Sequence, residues 1–263
     1  MREGKSGFVA SAIQVERSSS IQSLPSFLER VESLVSEAVS RGSSLVVLPE
    51  FFAADYVSPE PLYKGDFQIF LGGLAAKYGC WLVGGSLSVI RDEGGNPYNT
   101  LVFYGPSGSI LSYYHKRNLF YAHFSDGIVS EVDQFSPGSS MPVPYDTPFG
   151  SLGFAICYDL RFPELFISQK ADIFVVPAAF RYQTGKDHWE VLLRARAIEN
   201  QSFLVAANCS GRTDQAHFGG RSMIIDPWGR ILSDCPAEGE FIVTSFVDME
   251  LLSSLRNKLP MNR

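Results

Sequence analysis

A thiol, a carboxylate and an amine each follow directly on a strand-like stretch of this chain. The thiol is Cys157, in Gly153-Phe-Ala-Ile-Cys157-Tyr-Asp-Leu-Arg161-Phe-Pro163-Glu-Leu. The apolar run 152–156 reads as a buried strand, and Pro163 is placed where a helix could open. A strand that stops at a cysteine and turns toward a helix can present sulfur at the mouth of a sheet, where the helix N-terminus would favour thiolate. The competing reading is a buried free cysteine, the commoner fate of this residue. The carboxylate is Glu50, in Leu45-Val-Val-Leu-Pro49-Glu50-Phe51-Phe52. Set between proline and two aromatics, it is expected to be partly desolvated, which suits a carboxylate to proton transfer near neutrality. An exposed strand-end glutamate is the alternative. The amine is Lys116, in Tyr113-Tyr114-His115-Lys116-Arg117-Asn118-Leu119-Phe120. An ammonium here could stabilise a developing oxyanion and favour a neighbouring thiolate. In isolation the pair Lys116-Arg117 is also compatible with a solvated basic strand end. Base, cation and nucleophile together are the parts of covalent acyl transfer, and a desolvated carboxylate can do the work of a histidine base.

Holding these groups requires a scaffold of alternating strands and helices. Strands are expected at 8–14, 45–48 and 81–88, and helices at 26–40 (stopped by Arg41-Gly42) and at 68–78 (closed by Gly79). The run 45–48 is apolar throughout, as expected where both faces of a strand are covered. Segments 100–104 and 109–115 alternate around Gly105-Pro-Ser-Gly108, a hairpin signal. Residues 121–148 read as loop, with Pro137-Gly138, Pro142, Pro144 and Pro148; a stretch of this length is more often functional or lid-like than idle. Strands at 173–176 and 203–208 flank a helix at 187–200, and the end of the chain is β-rich: 222–225, the turn Asp226-Pro-Trp-Gly229, 231–235 and 241–248. The pattern indicates an α/β fold with mixed sheets covered by helices. One domain spanning 1–263 is expected, with a core of about 8–250 and a C-terminal tail from about 251.

Composition narrows the function. The 263 residues are 45% hydrophobic and 19% charged, with a formal net charge of −6, ordinary for a soluble globular protein and unsuited to a nucleic-acid surface. There is no run of eighteen apolar residues, so no membrane span is expected, and the first residues lack the apolar core of a signal peptide. The four cysteines, Cys80, Cys157, Cys209 and Cys235, are therefore expected as reduced thiols in a cytoplasm, with all but Cys157 serving as core thiols. No Cys-x-x-Cys or His-x-x-x-His pair favours a metal. Gly4-Lys5-Ser6 mimics the end of a phosphate loop without its first glycine or a preceding strand, and no Gly-x-Ser-x-Gly marks a serine nucleophile.

The segments around Glu50, Lys116 and Cys157 resemble the signatures of the nitrilase superfamily of carbon–nitrogen hydrolases. So do His188-Trp-Glu-Val-Leu-Leu-Arg194-Ala-Arg196-Ala-Ile-Glu199-Asn200-Gln and Gly220-Arg-Ser222-Met-Ile-Ile-Asp226-Pro-Trp-Gly229. The resemblance runs from about residue 8 to about residue 250. It implies an αββα sandwich with two mixed β-sheets flanked by helices, and a Glu50–Lys116–Cys157 triad without cofactor or metal. It also implies an oxyanion site completed by the backbone N–H of Tyr158. A second family glutamate matches Glu131, before Ser136-Pro137-Gly138, where it would orient the lysine and position substrate; Asp133 is close enough to be its alternative. The Cys-Tyr-Asp-Leu-Arg-Phe-Pro-Glu-Leu run points to the omega-amidase and related Nit-type branch. That branch implies a small-molecule amide and water as reactants, ammonia as product and a homodimer or higher homo-oligomer. Residues 121–128 depart from the loop typical of eukaryotic omega-amidases. Arg161, Arg181, Tyr121 and Tyr182 are candidates to receive a distal carboxylate, with structural pairing to Glu164, Glu199 or Asp159 the alternative for each arginine. An N-carbamoyl amino acid amidohydrolase, a nitrilase and a catalytically silent dimeric interaction protein remain competing readings.

Overall fold

In the computed structural model, residues 7–124 and 127–261 are described; Gly4-Lys5-Ser6 and the tip of the departing 121–128 loop (Ser125, Asp126) lie outside them. The first part of the chain runs β1 (Gly7–Ser18), α1 (Leu24–Ser40), β2 (Leu45–Val47), α2 (Asp66–Tyr78), β3 (Trp81–Val89), β4 (Tyr98–Tyr104) and β5 (Ile110–His115). A small hairpin, β6 (Tyr121–Phe124) and β7 (Gly127–Ser130), is followed by β8 (Tyr145–Thr147), β9 (Gly150–Phe154) and α3 (Pro163–Gln169). The last part is β10 (Ile173–Ala178), α4 (Tyr182–Asn200), β11 (Phe203–Arg212), β12 (Met223–Ile225), β13 (Ile231–Asp234), β14 (Phe241–Asp248) and α5 (Met249–Lys258).

Two mixed sheets form the centre. One orders β5-β4-β3-β2-β1 with β14 antiparallel on β1; the other orders β11-β10-β9-β8 with β12 added on β11 and β13 on β12. They are joined where the end of β1, Val15 to Ser18, pairs in parallel with Cys209 to Arg212 of β11, so the ladder is continuous through both layers. β2 illustrates why its sequence carries no polar alternation. Leu45 and Val47 face the core between the sheets, with Phe103 and Phe154, while Val46 and Leu48 face the core under α1 and α2, with Phe27 and Leu71. Both faces are buried, so both parities are apolar. α1 is started by Ser23, whose hydroxyl accepts from the Ser26 N–H, and buries Phe27, Val31, Leu34, Val35 and Ala38 on one face. α2 ends at Gly79 in the left-handed conformation, φ 62°.

Two expectations are revised. Residues from 251 are not a tail: α5 is capped by Asp248 and buries Leu252 and Leu255. The stretch 121–148 is not all loop, since it contains the hairpin Tyr121–Phe124 with Gly127–Ser130 and the edge strand Tyr145–Thr147, which pairs with β9. Prolines and glycines there mark the ends of short strands, too short to show a period. As expected, α3 opens at Pro163, after a 3-10 turn, Cys157–Arg161. Among the described residues no helix is long and apolar enough to cross a membrane.

Candidate active site

β2, β9 and β10 are parallel members of the joined ladder, and chemistry gathers beyond their carboxyl ends, as in open α/β sheets generally. Glu50 lies just beyond β2, Cys157 beyond β9, Ala179 directly after β10 and Lys116 directly after β5. Two of these strand ends break sharply. Cys157 has φ 47° and Phe51, next to Glu50, has φ 49°. Left-handed backbone at a non-glycine residue costs about 1–2 kcal/mol, and such strain collects at sites of chemistry. Gly85 makes room for Glu50: with φ 69° it forms a bulge in β3, and a Cβ there would lie 2.0 Å from the Pro49 carbonyl oxygen.

Glu50 is 2% exposed. Its Oε1 accepts from Lys116 Nζ and from Asn99 Nδ2, each at 2.8 Å, and its Oε2 accepts from the Ala179 N–H at 2.8 Å. Lys116 is 1% exposed, which removes the solvated strand-end reading for it, while Arg117 beside it is exposed as that reading expected. Lys116 Nζ also donates to both oxygens of Glu131, at 3.0 and 2.8 Å. Glu131 Oε2 takes the Phe120 N–H at 2.7 Å, which closes the base of the hairpin onto the lysine. Asp133 is exposed and makes no contact with the lysine, so the structure brings Glu131 and not Asp133 into the cluster. Cys157 is 7% exposed, and the Glu50 carboxylate is among the groups that act on its thiol.

Burial opposes the charge of Lys116, but Glu131 and Glu50 more than offset it and hold the ammonium well above the usual lysine range. Burial, with Glu50 nearby, pushes the Glu131 carboxyl up despite the pull of Lys116. Burial is also the largest influence on Cys157; Glu50 and Glu131 add to it, Lys116 opposes it, and the thiol is held well above its usual range. The expectation of a resting thiolate is thus corrected. The nearest α-helix N-terminus is displaced by the 3-10 turn, and two carboxylates against one ammonium favour the neutral sulfur. A thiol in that state needs a base, and the Glu50 carboxylate lines the same cavity.

Glu50, Lys116, Glu131, Cys157 and Tyr158 line one cavity of about 160 Å³. Phe120, Val129, Phe180 and Phe218 add apolar wall, and Arg17 and Arg181 add two guanidinium groups. Of the four distal-group candidates, only Arg181 lines this cavity, and its Nη1 donates to the Gln215 carbonyl at 3.0 Å. Arg161 instead lies over the rings of Tyr158 and Phe180 and contacts His188 Nδ1 at 3.3 Å, and among the described residues it forms no ion pair with Glu164, Glu199 or Asp159. Tyr121 pairs with His123, and Tyr182 stacks on His217. Arg17, which sequence reasoning missed, is ion-paired with Asp55 at 2.7 Å and lies over Phe218.

Other missed residues act through the backbone. Asp159 is buried; its Oδ2 accepts from the Ile156 N–H and the Tyr114 hydroxyl, both at 3.0 Å, and its Oδ1 from the Asn118 side chain at 2.8 Å. It ties the cysteine turn to the lysine strand, and burial pushes its carboxyl up to about 6. Arg196 Nε holds the Leu160 carbonyl of the same turn at 3.0 Å. Gly138 donates its N–H to the Lys116 carbonyl at 2.8 Å. The available signals were Asp159, two positions after the thiol, and the Pro137-Gly138 turn. Cys80, Cys209 and Cys235 are free and buried as expected of core thiols, with burial raising them to about 11, about 12 and about 12 respectively.

Comparison with known proteins places the whole chain in a family. Residues 10–257 match the family model described as carbon-nitrogen hydrolase. The chain is 37% identical over 265 residues to a deaminated glutathione amidase of Synechocystis, covering 96% of each chain. It is 34% identical over 247 residues to an omega-amidase of Xenopus tropicalis, covering 90% of this chain and 88% of that one. The crystal structure of Nit3 from Saccharomyces cerevisiae, a member of branch 10 of the nitrilase superfamily, superposes with a TM-score of 0.84 at 29% identity, covering 98% of this chain and 96% of that one.

Proposed function

Because the chain belongs to the carbon–nitrogen hydrolase family of the nitrilase superfamily, and so is a hydrolase of non-peptide carbon–nitrogen bonds, we propose that it hydrolyses a primary amide through a thioester on Cys157. The observation that carries this reading is that Cys157 and Glu50, the latter held by Lys116, are both buried and line one cavity. Glu50 takes the thiol proton as sulfur attacks the carbonyl carbon. Lys116 and the backbone N–H of Tyr158 receive the oxyanion. Glu50 then returns its proton to the leaving nitrogen, ammonia departs and the thioester remains. Water, deprotonated by Glu50, attacks the thioester; collapse restores the Cys157 thiol and releases the carboxylic acid. Glu131 keeps Lys116 aimed between the two carboxylates.

The amide we favour is the omega-amide of a dicarboxylic or α-keto acid. Two features support it: the likeness to omega-amidases, and the guanidinium groups of Arg17 and Arg181 on a cavity that otherwise has Lys116 as its cation. A second reading, favoured by the likeness to the cyanobacterial enzyme, takes deaminated glutathione as substrate. Ammonia and product release from omega-amides, uncharged amides of equal length, deaminated glutathione, N-carbamoyl amino acids and nitriles separates these readings. The omega-amide proposal predicts the largest kcat/KM for the carboxylate-bearing amide. An uncharged amide cleaved equally well, or a carbamoyl compound or nitrile cleaved better, would sink it.

The same proposal carries a single hydrolase domain, a cytoplasmic location and a homodimer. Exposed Val191 and Ile198 on α4, with exposed Trp228, support self-association, and light scattering of the purified chain tests it.

A further inference from the structure

Through both halves of a thioester mechanism the base must present one oxygen to the reacting proton and keep the other out of the way. An ionised carboxylate has about four acceptor positions, two on each oxygen. On Glu50, both positions of Oε1 are taken, by Lys116 Nζ and Asn99 Nδ2 at 2.8 Å each. Oε2 takes one donor, the Ala179 N–H at 2.8 Å, which leaves one acceptor position for the Cys157 thiol. Asn99 is thus what makes Oε1 full.

The placement of Asn99 extends this control to the lysine. Asn99 lies in β4, beside β3 and β5, and is 0% exposed. Its side chain reaches Glu50, while its main-chain carbonyl accepts the Lys116 N–H at 2.7 Å. One residue therefore fixes the base by its amide and the lysine by its backbone. The amide has one workable orientation, because turning it would set Oδ1 against a carboxylate oxygen. In that orientation Oδ1 is buried without a hydrogen-bond partner among the described residues, as is the hydroxyl of Ser86, whose backbone bridges to Glu50. An unpaired buried acceptor disfavours the fold, and its persistence beside the base calls for a functional explanation.

We propose that Asn99 is a positioning residue for amide hydrolysis, occupying Glu50 Oε1 together with Lys116 so that Oε2 is the oxygen that exchanges protons with Cys157 and with the hydrolytic water. This rests on the reading of Cys157 as nucleophile and Glu50 as base. The titratable groups facing Glu50 are Lys116 after β5, Glu131 after β7, Cys157 after β9 and Cys209 from β11, whose thiol donates to the Glu50 main-chain carbonyl at 3.4 Å.

The test compares Asn99→Leu and Asn99→Asp with the native enzyme on the best amide of the panel, alongside thermal unfolding and the pH dependence of Cys157 alkylation by iodoacetamide. For Asn99→Leu, kcat is expected to fall by about 10- to 100-fold with KM within about twofold, since a misplaced base costs rate and not ground-state binding. For Asn99→Asp, a second carboxylate beside Oε1 should move the acid limb of kcat/KM upward by about one pH unit, and the alkylation profile should move with it. Native kcat and an unmoved acid limb in a folded variant would overturn the proposal. So would a loss of activity that merely tracks loss of thermal stability, with both pH profiles unchanged. Failure of the underlying reading looks different: Cys157→Ala would retain ammonia release. If no amide of the panel is turned over, the alkylation profile of Asn99→Asp decides the positioning role by itself.

Discussion

Lys116→Met keeps most of the volume of the side chain and removes its charge. In the native protein the ammonium donates to Glu50 at 2.8 Å and to Glu131 at 3.0 and 2.8 Å, and the side chains of lysine, Glu50 and Glu131 are 1%, 2% and 18% exposed. Removing one partner of a buried ion pair costs about 3–5 kcal/mol, because the remaining charge is left uncompensated. Glu131 can regain some water, so a loss of about 3 kcal/mol at pH 8 is the reasonable expectation. The loss should depend on pH with a definite sign. Glu131 already lies above its ordinary value of 4.5 from burial, and Lys116 is what pulls it down. Without the lysine its folded-state value rises further, so between about pH 4.5 and that value the folded state binds a proton the unfolded chain does not, and stability falls as pH rises. The gap between native and variant should therefore widen from pH 5 to pH 8, by up to about 1.4 kcal/mol for each unit by which the carboxyl is raised. Urea unfolding followed by the fluorescence of the three tryptophans measures it at both pH values. Turnover should fall by about 10²–10³-fold or more, the usual consequence of losing an oxyanion donor. An equal stability loss at pH 5 and pH 8 would refute the carboxylate-holding role, and a kcat within tenfold of native would refute the oxyanion role.

Four further outcomes are expected. Alkylation of Cys157 by iodoacetamide in the absence of substrate should still be accelerating as pH passes 9, because burial and two carboxylates hold the sulfur as a thiol; a plateau below pH 7 would show a resting thiolate instead. Asp159→Asn sets an amide N–H₂ against donors on either side, so kcat should fall as the cysteine turn loosens. The decline in native stability between about pH 4 and 6, present because the folded carboxyl at about 6 binds its proton more tightly than the unfolded one, should vanish in the variant by urea unfolding. Gly138→Ala would bring a Cβ within 2.2 Å of the His115 carbonyl oxygen and displace the turn that holds Lys116. A loss of about 1–3 kcal/mol with reduced activity is expected from thermal unfolding and ammonia assays. Gly73→Ala in α2, which meets nothing within 4 Å, should be neutral or stabilising.

Much of the site was legible because each reactive group is announced locally. Glu50, Lys116 and Cys157 all follow an apolar or alternating run, and Glu131 precedes a Pro-Gly turn, so motif and strand end coincide. That mixed sheets covered by helices carry them follows from the same runs. Short strands were less legible: β6, β7 and β8 have three or four residues each, too few to display a period. α5 was read as a tail because Ser253-Ser254 and the polar residues around it dilute a face that buries only Leu252 and Leu255.

By itself, then, the chain determined which groups are candidates for chemistry and that sheets and helices must carry them, since those depend on residue type and on runs of neighbours. The protonation state of Cys157 was decided only by tertiary structure, because it is set by burial and by Glu50, Lys116 and Glu131 arriving from separate elements. So was the role of Asn99, an ordinary strand residue until β4 places it against the base. The joint between the sheets, where β1 pairs with β11, brings together segments nearly two hundred residues apart. The thiol at the end of β9 is reactive in prospect because of its neighbours in space, and a linear pattern does not contain them.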